Sequence, residues 1–223
     1  MSARGLDPRL AALYPFLADT PRAAETLAID AARSSEDKAR EIAALRARVV
    51  REMAEPLTRC ADVMARAFAG GATLWAFGNG GSASDAQAMV TLFGAPPAGR
   101  ALPAVALPSD VSTVTALAND VGFDVVFSRQ IGALGRRGDL AVGFSTSGNS
   151  ENVVVGLTKA TRLGLTTIGF AGYAGGAMAM CGAIAHLFVV PSSSVHRIQE
   201  AQTTLCHVLW AEVQAAMEGR SQT

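Results

Sequence analysis

From residue 73 onward, short apolar runs alternate with longer mixed stretches. Residues 73–77, 104–107, 140–143, 166–170 and 185–190 are almost continuously apolar. Runs of that length and purity predict strands buried on both faces, as in a parallel sheet. Between them, residues 83–93, 109–118, 124–134 and 153–160 read as helices. Asn119-Asp120-Val121-Gly122 reads as a turn, residues 172–181 as a glycine-rich loop with a short helix, and 195–217 as the last helix. Strand–helix alternation predicts an α/β domain with helices on both sides of the sheet. Ahead of it, Ile42, Leu45, Val49 and Met53 recur at helical spacing behind a Ser34-Ser35-Glu36-Asp37 start signal. Pro56 interrupts that helix, and a second runs to Ala69 with Val63, Met64 and Phe68 on its apolar side, ended by Gly70-Gly71. Residues 1–33, with Pro8, Pro15 and Pro21, read as an N-terminal extension laid on a neighbour, in which Leu10, Leu13, Phe16 and Leu17 are expected to dock as a short helix. Residues 34–223 form the α/β domain with its N-terminal helices.

Composition narrows the class. Hydrophobic residues are 50% and charged residues 17% of 223, which suits a well-buried domain or an oligomer with apolar interfaces. A formal net charge of +0 argues against a broad nucleic-acid surface or an anionic-membrane surface. Cys60, Cys181 and Cys206 are odd in number and far apart, as expected of a reduced cytoplasmic protein and not of a disulfide framework or zinc knuckle. The first residues lack a secretory apolar stretch, and no apolar run approaches the ~18 residues of a membrane span.

Candidate chemistry sits where strands end. Residues 145–152 read Ser-Thr-Ser-Gly-Asn-Ser-Glu-Asn, between a strand and a helix start. An ordinary helix cap needs one hydroxyl or amide. Six in eight positions suit a cradle of N–H and hydroxyl groups for a phosphate at a helix N-terminus. No Gly-Lys-Ser/Thr closes it, so it is not a Walker loop. Gly78-Asn79-Gly80-Gly81-Ser82 repeats the strand–loop–helix order, and Ser109-Asp110-Val111-Ser112 lies after another strand. On the last helix, His196, Gln199, Thr203 and His207 fall at i, i+3, i+7 and i+11 and share one stripe, either a pocket wall or a solvated face. His186, inside a strand, reads as structural, and Cys206 as packed.

Gly78-Asn79-Gly80-Gly81-Ser82, Asn119-Asp120, Ser145-Thr146-Ser147-Gly148-Asn149-Ser150 and Arg197-Ile198-Gln199-Glu200 stand in the order and spacing of a known family. From about Ser34 to its end, the chain resembles the phosphoheptose isomerases, a family of SIS (sugar isomerase) domains with initiator-associating relatives. The resemblance implies a three-layer α/β/α, flavodoxin-like sandwich around a five-stranded parallel sheet, with added N-terminal helices. It also implies a cytoplasmic homotetramer. Carried over, Ser145, Thr146, Ser147 and Ser150 hold the phosphate. Asn79, Gly80, Gly81 and Ser82 line the sugar, and Asn119 and Asp120 complete the wall. Gln199 and His207 match the functional Gln and His of the last helix. The family interconverts sedoheptulose 7-phosphate and a heptose 7-phosphate, which moves a proton between adjacent carbons and needs a base and an acid, or a metal.

The chain departs from the family on the helix after the first glycine turn. The isomerases carry a His there and, four residues on, a Glu. Both join Gln and His in a zinc site, and the Glu is the base. The matching positions are Ala88 and Leu92. The zinc site is therefore incomplete and no metal or other cofactor is expected. Asp85, Gln87 and Thr91 are expected on other faces of that helix, and His196 is a substitute catalytic candidate beside Gln199 and His207. Two functions stay open. One is a sugar-phosphate-binding protein of the phosphoheptose isomerase type, with ketose–aldose isomerisation lost or altered. The other is a non-catalytic oligomeric scaffold for a protein partner, resembling the initiator-associating relatives. An attached DNA-reading domain is not found.

Overall fold

The structure is a computed structural model that describes residues 24–221, with side chains over 29–219. The expected short helix in the first residues lies outside the described range. Among the described residues, those up to Ala43 and those from Ala44 onward make two compact units. Helix α1 (Ala24–Glu52) is continuous through the expected start at Ser34. Nothing between Ala24 and Glu52 breaks a helix, since the segment holds neither Gly nor Pro. The Ser35 hydroxyl donates back to the Ala31 carbonyl at 2.8 Å, and Arg40 pairs with Glu36 at 3.1 Å. Ser35 therefore serves the helix interior and not a cap.

In the second unit, Leu45 and Val49 are buried. Arg46 Nε donates to Thr204 Oγ1 at 2.6 Å. Helix α2 (Ala54–Ala69) follows a one-residue break at Met53. Pro56 stands in its first turn, where its missing N–H costs least. Leu57, Cys60, Met64 and Phe68 form its buried face, while Val63 is only half-buried.

The sheet contains β1 (Leu74–Gly78), β2 (Ala104–Ala106), β3 (Leu140–Ser145), β4 (Thr166–Gly172) and β5 (His186–Val190). All neighbours pair in parallel, in the order β2-β1-β3-β4-β5. Between them run α3 (Gly81–Gly94), α4 (Val111–Asp120), α5 (Val126–Leu134), α6 (Glu151–Leu163) and the short α7 (Gly176–Met180). The last element is α8 (Val195–Ser221). Helices cover both faces, as the alternation predicts. One core layer joins Trp75, Phe77, Phe127, Ile131, Val153 and Leu157. Elsewhere in the sheet, Phe144, Phe170 and Phe188 stand in neighbouring strands, with ring centroids 4.8 and 5.3 Å apart.

Helix α4 starts later than expected. A 3-10 turn, Leu107–Ser109, comes first, and Asp110 then caps α4 by accepting the Thr113 N–H at 3.1 Å. The helix accordingly runs on through Asn119 and Asp120, which are its last two residues instead of a turn.

The chain leaves β1 toward β2 on one side and returns to β3 on the other. That reversal is the switch point of an open α/β sheet, and it opens a crevice beyond the C-terminal ends of β1 and β3. The loop 78–82 and the loop 145–150 are the ones that leave those two strands.

Candidate functional site

The loop after β3 is organised by its own hydroxyls. Ser145 is buried, and its Oγ donates to Ser150 Oγ at 2.9 Å and accepts the Ser150 N–H at 3.3 Å. Ser147 Oγ accepts the Asn149 N–H at 3.1 Å and lies 3.5 Å from Ser145 Oγ. Ser147 is exposed, while Thr146 and Ser150 are half-buried. Ser150 precedes α6 but makes no side-chain cap bond to it. The plain N-cap alternative therefore fails. The first turn of α6, the positive end of its dipole, carries no side-chain cap from Ser150. Gly148 has φ +69°. A Cβ there would lie 2.0 Å from the Gly175 carbonyl oxygen. The loop is thus braced on Gly175 and on the first turn of α7, where the Met178 N–H donates to the Gly148 carbonyl at 2.9 Å and the Ala177 N–H donates to Asn149 Oδ1 at 2.8 Å.

Beside it, Gly80 turns the chain with φ +54° into α3 without a side-chain cap. Gly80 and Gly81 are exposed and Ser82 is buried. Asn79 and Asn152 face each other across the two loops. Asn79 Nδ2 donates to Asn152 Oδ1 at 2.7 Å, and Asn152 Nδ2 donates to Asn79 Oδ1 at 3.0 Å. Asn152 is buried and was not singled out by sequence as a site residue of its own.

Helix α8 supplies the facing wall. Gln199 packs against Gly81 so closely that a Cβ on Gly81 would lie 2.5 Å from Gln199 Nε2. The same Nε2 donates to Asp85 Oδ2 at 2.9 Å. Thr203 and His207 continue the wall and, with Asp85, Ala88, Met89, Leu92 and Cys206, line a cavity of about 20 Å³. That is room for roughly one water. The α8 stripe is therefore a wall at Gln199, Thr203 and His207. The expectation that Asp85 faces elsewhere is corrected. Asp85, Ala88 and Leu92 follow at i, i+3 and i+7 and share one face of α3. Gln87 and Thr91 do lie outside this cavity. Burial raises the Asp85 carboxyl above its ordinary range, and the Gln199 hydrogen bond partly offsets that rise.

Other candidates stand apart. His196 is exposed near the start of α8 and is not among the cavity residues. Asn119 and Asp120 are exposed and bond to each other, Nδ2 to Oδ1 at 2.7 Å. His186 is half-buried in β5, and burial followed by the Arg59 charge lowers its pKa.

The zinc implied by the resemblance does not fit these side chains. Ala88 and Leu92 offer no donor atom, and Gln199 Nε2 is turned to Asp85. Burial holds the Cys206 thiol well above its ordinary range, against thiolate ligation. Among the described residues no group of three or more His, Cys, Asp or Glu could hold a metal ion. No described helix is long and apolar enough to cross a membrane.

Known proteins resemble this chain in sequence and fold. A family profile described as the SIS domain matches residues 39–172. The phosphoheptose isomerase of Aquifex aeolicus is 46% identical over 185 residues, covering 82% of this chain and 95% of that protein. That of Desulfovibrio desulfuricans is 46% identical over 178 residues, covering 77% and 81%. The solved phosphoheptose isomerase of Neisseria gonorrhoeae superposes with a TM-score of 0.76 at 34% identity, over 82% of this chain and 98% of that one. Sequence and fold agree: the chain belongs to the phosphoheptose isomerase family of SIS domains.

Proposed function

We propose that this protein binds a sugar phosphate of the heptose 7-phosphate class, with the phosphate in the 145–150 loop and the sugar between loop 78–82 and α8. We propose further that it holds this ligand without the relatives' usual isomerisation chemistry. One observation carries the reading. The 145–150 loop gathers the Ser145, Ser147 and Ser150 hydroxyls together, which supports a phosphate cradle, whereas the face of α3 that shares a cavity with His207 presents Ala88 and Leu92. Ketose–aldose isomerisation must lift a proton from one carbon and return it to the next. Neither side chain accepts a proton. Asp85 favours a second reading of slow, metal-free turnover, since it is the carboxylate in the cavity with His207 and its pKa is shifted toward neutrality.

In this account Ser145, Thr146, Ser147 and Ser150 meet the phosphate, Gly80, Gly81 and Gln199 meet the sugar, and no zinc takes part. The protein acts in the cytoplasm as a homotetramer of the family's kind. The exposed Val111, Val121, Phe123 and Leu134 give it apolar surface for its own copies or a protein partner. Calorimetry with sedoheptulose 7-phosphate tests the binding. The wild type binds and Ser147→Phe does not; unchanged affinity in that variant refutes the cradle. Product formation from sedoheptulose 7-phosphate separates the two readings. Turnover absent from the wild type supports binding alone, and turnover that survives chelation and disappears in Asp85→Asn supports the second.

A further inference from the structure

The two loops of the crevice come from strands far apart in sequence, yet one closed pair of amides joins them. Asn79 and Asn152 are 73 residues apart and exchange two hydrogen bonds, at 2.7 and 3.0 Å. Asn152 is 3% exposed and is the second residue of α6, whose N-terminus closes the 145–150 loop. Asn79 follows the last residue of β1 and precedes Gly80, which holds the positive φ that starts α3. Each amide thus directs both its nitrogen and its oxygen at the other. Complementary amides set in this way fix each other's orientation, because flipping either one would oppose donor to donor and acceptor to acceptor. With Asn152 buried and Asn79 half-buried, the pair is well specified, since a lone Asn152 keeps an unmet donor and acceptor.

We infer that Asn152 is a positioning residue for the sugar end of the crevice, and that Asn79 serves there as its clamp partner and not as a side-chain contact to the sugar. This rests on the sugar-phosphate reading above. The clamp sets the distance between Gly80-Gly81 and the α6 N-terminus, so it matches the span of the crevice to one ligand that carries both a phosphate and a polyol. Inorganic phosphate needs only the 145–150 loop and is indifferent to the clamp. Sedoheptulose 7-phosphate touches both loops and senses it. The chemistry selected is therefore a phosphate monoester whose hydroxylated chain reaches back over Gly80 and Gly81.

The experiment is a double-mutant cycle on the full chain, with Asn79→Ala, Asn152→Ala and the double variant, each titrated by calorimetry with sedoheptulose 7-phosphate and with inorganic phosphate. The two bonds are lost together in either single variant, so each weakens sedoheptulose 7-phosphate about tenfold, and the double variant is no worse than either single. Inorganic phosphate affinity stays within about twofold, a split that a general loss of stability does not produce. A direct sugar contact from Asn79 gives a larger loss in Asn79→Ala than in Asn152→Ala and additive effects in the double variant, which overturns the proposal. Equal losses for both ligands overturn it too, as do three variants that all match the wild type. Asn152→Ser adds no charge beside the phosphate loop and keeps a hydroxyl for at most one of the two bonds. Should Asn152→Ala fail to fold, it must show the same sugar-over-phosphate split at smaller size, and its absence counts against the clamp. If the wild type binds neither ligand, the functional reading falls, and the clamp is judged on the same cycle read by thermal unfolding. Non-additive melting shifts uphold it there, and additive shifts reject it.

Discussion

Replacing Gly81 with Ala places one methyl group between the sugar loop and α8. The new Cβ would lie 2.5 Å from Gln199 Nε2, 2.9 Å from its Oε1 and 3.1 Å from its Cδ. All three atoms belong to the far end of one flexible side chain, and Gly81 does not have a positive φ. The backbone can therefore stay, and the Gln199 amide must swing away. It then loses its 2.9 Å bond to Asp85. A hydrogen bond to a charged group is worth about 1.5–3 kcal/mol when buried, but water can replace much of it at this half-exposed carboxylate. Ala at the start of a helix recovers a few tenths of a kcal/mol relative to Gly, on the order of its helix-propensity advantage. The net cost is about 1 kcal/mol or less, a fall in Tm of roughly 2–4 °C for a chain of this size. The functional cost is selective: sedoheptulose 7-phosphate weakens by about 3- to 10-fold, the worth of one neutral hydrogen bond, and inorganic phosphate binding does not change. Gly148→Ala supplies the contrast. Its Cβ meets the Gly175 carbonyl at 2.0 Å, a backbone atom, at φ +69°. That variant must lose several degrees of Tm and both ligands. Differential scanning and calorimetry on the two variants check this. A Gly81→Ala protein as damaged as Gly148→Ala, or one with unaltered sugar affinity, refutes the placement of Gln199.

Three further outcomes follow from the same geometry. Burial pushes the Cys60 thiol up to about 12 and the Cys206 thiol higher still, so a thiol-counting reagent at neutral pH should label only half-buried Cys181 in the native protein and all three in denaturant; rapid native labelling of Cys60 contradicts the packing of α2. For Asp85 the raised carboxyl means that the folded state binds its proton more tightly than the unfolded chain, so ionisation costs stability. That cost is absent below the unfolded value of about 3.9 and fully present once pH has risen past the folded value; Asp85→Asn should therefore gain on the wild type in melts taken from about pH 4 to pH 7, and a difference that is flat or reversed counts against the burial. Finally, Ala88→His with Leu92→Glu puts two donors beside His207 and Gln199, and the double variant should bind zinc measurably by calorimetry; no gain over the wild type shows that this face of α3 does not address the last helix.

The sheet and both loops were legible because buried parallel strands are near-continuous in apolar residues and because glycines and hydroxyls collect where those strands end. The start of α1 was misplaced because Ser-Ser-Glu-Asp satisfies a capping pattern and an exposed helix interior equally well. Only the Ser35 bond to the Ala31 carbonyl separates the two. Asp85 was assigned to the wrong face although its spacing to Ala88 and Leu92 held the signal: residues at i, i+3 and i+7 share a stripe. For Asn152 the sequence offered no comparable clue to its role, since its partner Asn79 is brought to it only by the pairing of β1 with β3. The exposed pair Asn119 and Asp120 remains a family-derived candidate, which the fold leaves at the end of α4.

Crystals of the wild type soaked with sedoheptulose 7-phosphate and zinc give the most direct view of the central claim. The account predicts a phosphate ringed by Ser145, Thr146, Ser147 and Ser150, a sugar lying over Gly80 and Gly81 toward Gln199, and no zinc between Gln199 and His207. A phosphate bound elsewhere, or a zinc ion held by His207 and Gln199 in contact with the sugar, contradicts it.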